Sequence, residues 1–222
     1  MAGASERENH YDLAGRIALV AGASGVLGQA VCAALLTSGA QVFALGGHSQ
    51  PEEERRLRAE VGAASARLSY LVADARDESV VSGAVAEIVR QAGHLDILVN
   101  LIGGYAAGQP VTELETATFE RMLELNLRPT FLLSKYAVRE MTGQQWGRVV
   151  NVSSRAAHSG QRNAAAYAIA KAGVITLTEA QAEETRDAHI TVNAVLPSII
   201  DTPTNRRAMP SAPFDRWPRA EQ

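Results

Sequence analysis

Arg16-Ile-Ala-Leu-Val-Ala21, followed at once by Gly22-Ala-Ser-Gly25-Val-Leu-Gly28, is the stretch that decides the fold of this chain. A short apolar run bounded by glycines suits a central strand buried on both faces. Helical spacing takes over from about Val26 to Ser38. Strand, glycine turn and helix in succession form the context in which a glycine motif carries meaning. Gly22 can take the tight turn. Gly25 lets backbone N–H groups approach a pyrophosphate, and Gly28 lets the helix lie close to the strand. Ser24, Val26 and Leu27 complete this turn, and the helix N-terminus offers unpaired N–H groups to phosphates. An ordinary strand–helix turn would read the same way in isolation, so the case rests on whether the unit repeats.

It does. Gln41–Leu45 reads as a second strand, Gly46–Gln50 as a loop and Glu52–Val61 as a charged helix, with Pro51 suited to its first turn. Arg67–Ala73 is a third strand ending at Asp74, Asp77 caps a helix over Glu78–Ala92, and Leu95–Asn100 is a fourth strand. A helix is predicted from about Thr116 to Met141, kinked at Pro129, whose ring would clash with the carbonyl of Leu125. Gly147–Ser153 and His189–Val195 are strands five and six, with a helix from Ala164 to about Thr185 between them. Strands alternating with helices predict an α/β fold with a doubly wound parallel sheet of the Rossmann type. Right-handed crossovers leave the strand order 3-2-1-4-5-6. Ligands in such sheets bind at the carboxyl ends of the strands, where the glycine turn, Asp74, Asn100, Ser154 and Pro197 all fall.

The 222 residues suit one compact unit over 15–222 behind a polar tail, 1–14. A net charge of −3 and the lack of basic runs argue against nucleic acid as a partner. No apolar stretch reaches membrane-spanning length, and the N-terminus lacks the apolar core of a signal peptide, so a cytoplasmic location is expected. The single cysteine, Cys32, sits in an apolar helical run and reads as a core residue. No metal site is expected, because no His, Cys, Asp or Glu cluster has ligand spacing.

The chemistry concentrates in Asn151-Val-Ser-Ser-Arg and Ala166-Tyr167-Ala-Ile-Ala-Lys171. Tyr167 and Lys171 lie four apart and share a helix face. A phenol titrates near ~10, and an ammonium held close is expected to lower that value. Ser154 lies thirteen residues before the tyrosine, so a loop can bring its hydroxyl back to hold a substrate oxygen. Taken alone, this pair would as readily be a surface lysine and a half-buried tyrosine.

Together these motifs resemble the short-chain dehydrogenase/reductase family from about Gly15 to Thr202. The resemblance implies catalytic roles for Asn126, Ser154, Tyr167 and Lys171. It implies that Asp74 and Ala75 lie at the adenine, that Asn100 and Gly103 correspond to the Asn-Asn-Ala-Gly motif, and that Pro197 and Thr202 touch the nicotinamide carboxamide. It implies hydride transfer between a nicotinamide and a carbonyl or alcohol, with Tyr167 moving the proton and Asn126 holding a water that resupplies it. It further implies a small-molecule substrate and a homodimer or homotetramer.

Several residues depart from the family pattern. Val26 stands where the usual middle glycine falls, Leu101-Ile102 replace Asn-Ala, and Ser198 replaces a glycine. The family's seventh strand is not expected in these residues. The end of strand two, Leu45-Gly-Gly-His48-Ser49, offers no acid for a ribose hydroxyl. His48, Ser49 and Arg55 could receive a 2′-phosphate, which favours NADP(H) over NAD(H). The tail and Gly103-Gly-Tyr105 are similar to dihydropteridine reductase, a divergent relative. Tyr105 could stack on a flat substrate and Trp217 belong to a lid over about 198–218, although either could be plain packing. Two other readings stay open at this point: a dihydropteridine-reductase-like enzyme, and a nicotinamide-sensing protein without turnover.

Overall fold

The computed structural model describes residues 11–47 and 51–222, so His48 and Ser49 lie outside the described residues. The strands are β1 (Ile17–Ala21), β2 (Gln41–Gly46), β3 (Leu68–Val72), β4 (Ile97–Asn100), β5 (Gly147–Val152) and β6 (Ile190–Val195). They form one parallel sheet in the order β3-β2-β1-β4-β5-β6, as the right-handed crossover rule predicts. The helices are α1 (Val26–Thr37), α2 (Pro51–Val61), α3 (Glu78–Ala92), α4 (Thr116–Asn126), α5 (Arg128–Gln144), α6 (Ala156–Ser159), α7 (Ala165–Glu184) and α8 (Pro203–Ala208).

Alternation along β1 splits the core in two. Ala18 and Val20 face Cys32 and Leu36 of α1 and Leu57 of α2. Leu19 and Ala21 belong to the opposite core, with Val81, Val85 and Ile88 of α3 and Leu132, Leu133 and Met141 of α5. Every residue of β1 is buried, which is why the run reads as uniformly apolar. Asp77 caps α3 as expected, accepting from the N–H groups of Ser79 at 2.8 Å and Val80 at 3.2 Å.

The long helix predicted over Thr116–Met141 is two helices. α4 ends at Asn126, Leu127 breaks the run, and α5 begins at Arg128 with Pro129 in its first turn. Proline cannot donate to the Leu125 carbonyl, so the break falls just before it, where its missing N–H costs nothing. A 3₁₀ run over Gly62–Arg67 precedes β3, and a single turn, α6, occupies what reads as loop after Ser154. Strand β4 starts at Ile97 rather than Leu95, although the Asp96 N–H still donates to the Ile17 carbonyl at 2.9 Å. Among the described residues, no helix is long and apolar enough to cross a membrane, and no three His, Cys, Asp or Glu side chains cluster as metal ligands.

Candidate active site

The turn after β1 is shaped by what its glycines lack. Gly22 has φ +84°, and a Cβ there would meet Leu101 and Ile102 backbone at 3.0 Å. A Cβ on Gly28 would sit 2.2 Å from the Gly22 carbonyl oxygen, so only glycine lets α1 lie this close to the turn. Gly25 differs: a Cβ there would meet only the Gly22 oxygen, at 3.6 Å. Gly25 is also the N-cap of α1, and no side chain caps that helix. The first-turn N–H groups of α1 thus face an open side without an internal acceptor, which fits the pyrophosphate of a dinucleotide.

Across the sheet's carboxyl ends, α7 carries Tyr167 and Lys171. The Tyr167 ring meets Tyr105 edge to face, with centroids 4.9 Å apart and planes at 81°. Ser154 lies close enough to the Tyr167 phenol to influence its titration, and its Oγ accepts from the Ala156 N–H at 3.2 Å. Lys171 is 5% exposed, and its Nζ donates to the Val152 carbonyl at 2.9 Å. Among the described residues it makes no salt bridge, and burial pushes its ammonium down to about 8.

The expected lowering of the phenol is not found. Burial raises the Tyr167 pKa above its ordinary value, the Ser154 hydrogen bond pulls it back, and Tyr105 pushes it up again. The Lys171 ammonium is turned to the Val152 carbonyl and is itself weakened by desolvation. Burial therefore favours the neutral form of this phenol.

Asn126 ends α4, fully buried, where the helix breaks. Its Nδ2 donates to the Met122 carbonyl at 3.0 Å, and its Oδ1 accepts from the Gly104 N–H at 3.1 Å. A Cβ on Gly103 would lie 2.8 Å from that Oδ1 and 3.1 Å from Lys171 Nζ. Asn126, Lys171 and the Gly103–Gly104 backbone thus converge at one point, and any side chain at 103 would displace both partners.

Other predicted residues stand differently. The Asn100 side chain is buried and turned into the sheet core: its Nδ2 donates to Asn151 Oδ1 at 2.7 Å and Ser134 Oγ at 3.3 Å. Asn151 in turn donates to Thr178 Oγ1 at 3.0 Å. Asn100 therefore ties β4 to β5 and α5, and through Asn151 to α7, while its Oδ1 is buried without a hydrogen-bond partner among the described residues. Ala75 has its methyl group in the core. Asp74 lies at a carboxyl end, but Arg76 holds both its oxygens, at 2.9 and 2.6 Å, which drives the carboxyl down to about 2. Thr202 spends its hydroxyl capping α8, accepting from the Asn205 N–H at 3.1 Å. Pro197 accepts from the Arg155 N–H at 3.3 Å and so ties the segment after β6 to the loop after Ser154. Trp217 packs on Phe214, with centroids 5.0 Å apart, whereas the ring against Tyr167 is that of Tyr105. Arg76 and Gln161, whose Nε2 donates to the Tyr105 hydroxyl at 3.4 Å, are neighbours that motif reading does not single out. Both are polar loop residues, and only Gln161 is brought from far along the chain, 56 residues from Tyr105.

The family model for short chain dehydrogenase matches residues 16–212. A 2-dehydro-3-deoxy-D-gluconate 5-dehydrogenase from Formosa agariphila is 31% identical over 192 residues, covering 86% of this chain and 72% of the relative. Among solved structures, ElxO with NADP bound superposes with a TM-score of 0.85 at 28% identity, over 93% of this chain and 87% of that one. NAD+-bound xylitol dehydrogenase matches with a TM-score of 0.85 at 27% identity, over 95% of this chain and 90% of that one. With sheet order, glycine turn and family model in agreement, this chain belongs to the short-chain dehydrogenase/reductase family, a family of oxidoreductases that use nicotinamide cofactors.

Proposed function

We propose that this oxidoreductase interconverts a carbonyl and an alcohol, with Tyr167 as the proton donor and acceptor. The observation that carries the reading is the convergence of Tyr167, Ser154, Lys171 and Asn126 at the carboxyl ends of β4 and β5, beside an open glycine turn. Gly22, Gly25, Gly28 and the first turn of α1 would hold the pyrophosphate. Asp74 would approach the adenine, Lys171 the nicotinamide ribose, and Pro197 and Thr202 the carboxamide. A nicotinamide held by these residues would supply hydride to the carbonyl carbon or accept it from the alcohol carbon. The chain's own part is orientation and proton handling. Ser154 donates to the substrate oxygen and fixes it beside the phenol. Tyr167, kept neutral by burial, gives that oxygen its proton. Lys171 brings positive charge to the site as the phenolate forms, and Asn126, pinned by Gly104, supports the route by which the proton returns.

We favour NADP(H), because Gly46 and Gly47 at the end of β2 carry no acid to repel a 2′-phosphate. We also favour a homodimer or homotetramer built on α5 and α7, where Phe131 and Ile169 remain 45% and 50% exposed. The decisive experiment measures melting temperature with NADH and NADPH, then turnover on a panel of ketones. A cofactor-induced rise with turnover supports the reading. Tyr167→Phe is expected to lose at least about a thousandfold in kcat/KM while keeping that rise. A cofactor-induced rise without turnover on any ketone would instead support a nicotinamide sensor, and equal activity of Tyr167→Phe would overturn the assigned role of the phenol.

A further inference from the structure

A cavity of about 200 Å³ lies between the connection from β4 to α4 and the start of α7. One wall is Ala106, Ala107 and Leu114, from the connection between β4 and α4. The other is Ala164, Ala165 and Ala166, at the start of α7. Ala106 and Ala166 are the chain neighbours of Tyr105 and Tyr167, whose rings touch, so each wall continues directly into the tyrosine pair. The backbone bond from the Gly108 N–H to the Asn163 carbonyl, 2.8 Å, and the Gln161 bond to the Tyr105 hydroxyl hold the two walls together.

No charged side chain lines this space; its polar groups are Gln109, Thr118 and Asn163. Five alanines in the walls leave room where larger residues would close it. An engineered apolar cavity of roughly 150 Å³ takes benzene, so this one has the size for a six-membered ring.

We infer that the larger substituent on the substrate's carbonyl is a compact apolar group of about six carbons, a ring or a branched chain, seated in the alanine-lined cavity beside Tyr105 and Tyr167. The inference rests on the reading of this chain as a carbonyl reductase. A space of this volume walled by five alanines favours a short, thick group over a long, thin one.

The test compares cyclohexyl methyl ketone with 2-octanone, which has the same carbon count, and with 2-butanone, at saturating NADPH or NADH. The ring ketone is expected to have a kcat/KM at least about tenfold above both, within the range that apolar pockets discriminate. Ala106→Leu, and separately Ala107→Leu in case one variant misfolds, are expected to cut that preference at least about tenfold through KM. Equal use of the three ketones, or a preference untouched in both folded variants, overturns the inference. If no ketone is reduced, calorimetric binding to the cofactor complex of Tyr167→Phe separates the two claims. Ring-ketone binding that Ala106→Leu removes keeps the cavity assignment and sinks the reductase reading; no binding sinks the cavity assignment.

Discussion

At the amino ends of the strands Asp96 is buried with every partner it needs, and at the carboxyl ends Lys171 is buried with a single carbonyl. Asp96, 2% exposed, accepts from Arg16 at 3.0 Å and from the Ile17 N–H at 2.9 Å, and lies 2.9 Å from His94 Nε2. The Arg16 and Arg148 guanidinium groups stack on Trp146 at 3.8 and 4.4 Å. This end is a clamp: charges are matched, backbone donors are satisfied, and β1, β4 and β5 are fixed in register. Lys171 has no carboxylate within salt-bridge reach among the described residues. A buried ammonium with one neutral acceptor costs stability, and folding alone gives no reason to keep it. Comparing the two ends teaches that burial of charge does not mark a site; burial without compensation does.

Breaking the clamp should produce the largest change in stability. Asp96→Ala strips Arg16 and the Ile17 N–H of their shared acceptor, and is expected to cost about 3 kcal/mol. For a chain of this size that lowers the melting temperature by roughly 6–12 °C. Activity per folded molecule should hold, since nothing at the carboxyl ends has moved. A loss under about 1 kcal/mol in thermal unfolding would show the clamp to be ornamental.

The opposite end gives an effect of similar size, and one with a pH signature. Lys171 titrates at about 8 when folded, against an ordinary value of 10.5. Between those values the unfolded chain binds the proton that the native chain has lost, so stability from this group rises with pH from about 8 to 10.5. The full difference is worth about 3 kcal/mol, present as a penalty below pH 8. The stability of wild type minus that of Lys171→Met should climb by this amount across the window. Cys32 and Tyr70, both pushed up to about 12 by burial, act in the opposite sense at higher pH, but they are common to both proteins and cancel. A flat difference from pH 7 to 10.5 would mean that Lys171 is compensated by something other than the Val152 carbonyl.

The clamp was invisible in the sequence and most of the carboxyl end was not, for a physical reason. Glycine turns, caps and the Tyr167–Lys171 spacing are local: each depends on residues within one turn of one another, so pattern suffices. The strand order follows because six alternating units leave little topological freedom. Asp96 looks like any polar residue at a strand edge until β1 and β4 are known to be neighbours, 79 residues apart at the Ile17 bond. The Asn100 network is hidden for the same reason: its partners Ser134 and Asn151, and Thr178 bonded through Asn151, come from three separate elements. The direction of the Tyr167 shift also needed coordinates, because four-residue spacing places Lys171 on the same face without saying that its ammonium turns to Val152. Trp217 and Tyr105 were both plausible aromatic neighbours of the site; packing gave Trp217 to Phe214 and Tyr105 to Tyr167.

The smallest expected effect on folding separates glycines that build the turn from the one that leaves it open. Gly25 has φ −72°, which any residue tolerates, and a Cβ there makes one ordinary contact at 3.6 Å. Gly25→Ala should therefore shift stability by no more than about 0.5 kcal/mol, the modest cost of alanine at an N-cap. Its methyl group would nevertheless stand at the open side of the first turn of α1, where the phosphates are proposed to sit. Cofactor affinity, read as the dissociation constant for NADPH, should weaken by about threefold or more while the melting temperature of the free protein barely moves. If affinity is unchanged as well, the open side of Gly25 does not face the pyrophosphate, and the N–H donors of α1 serve the fold rather than the ligand.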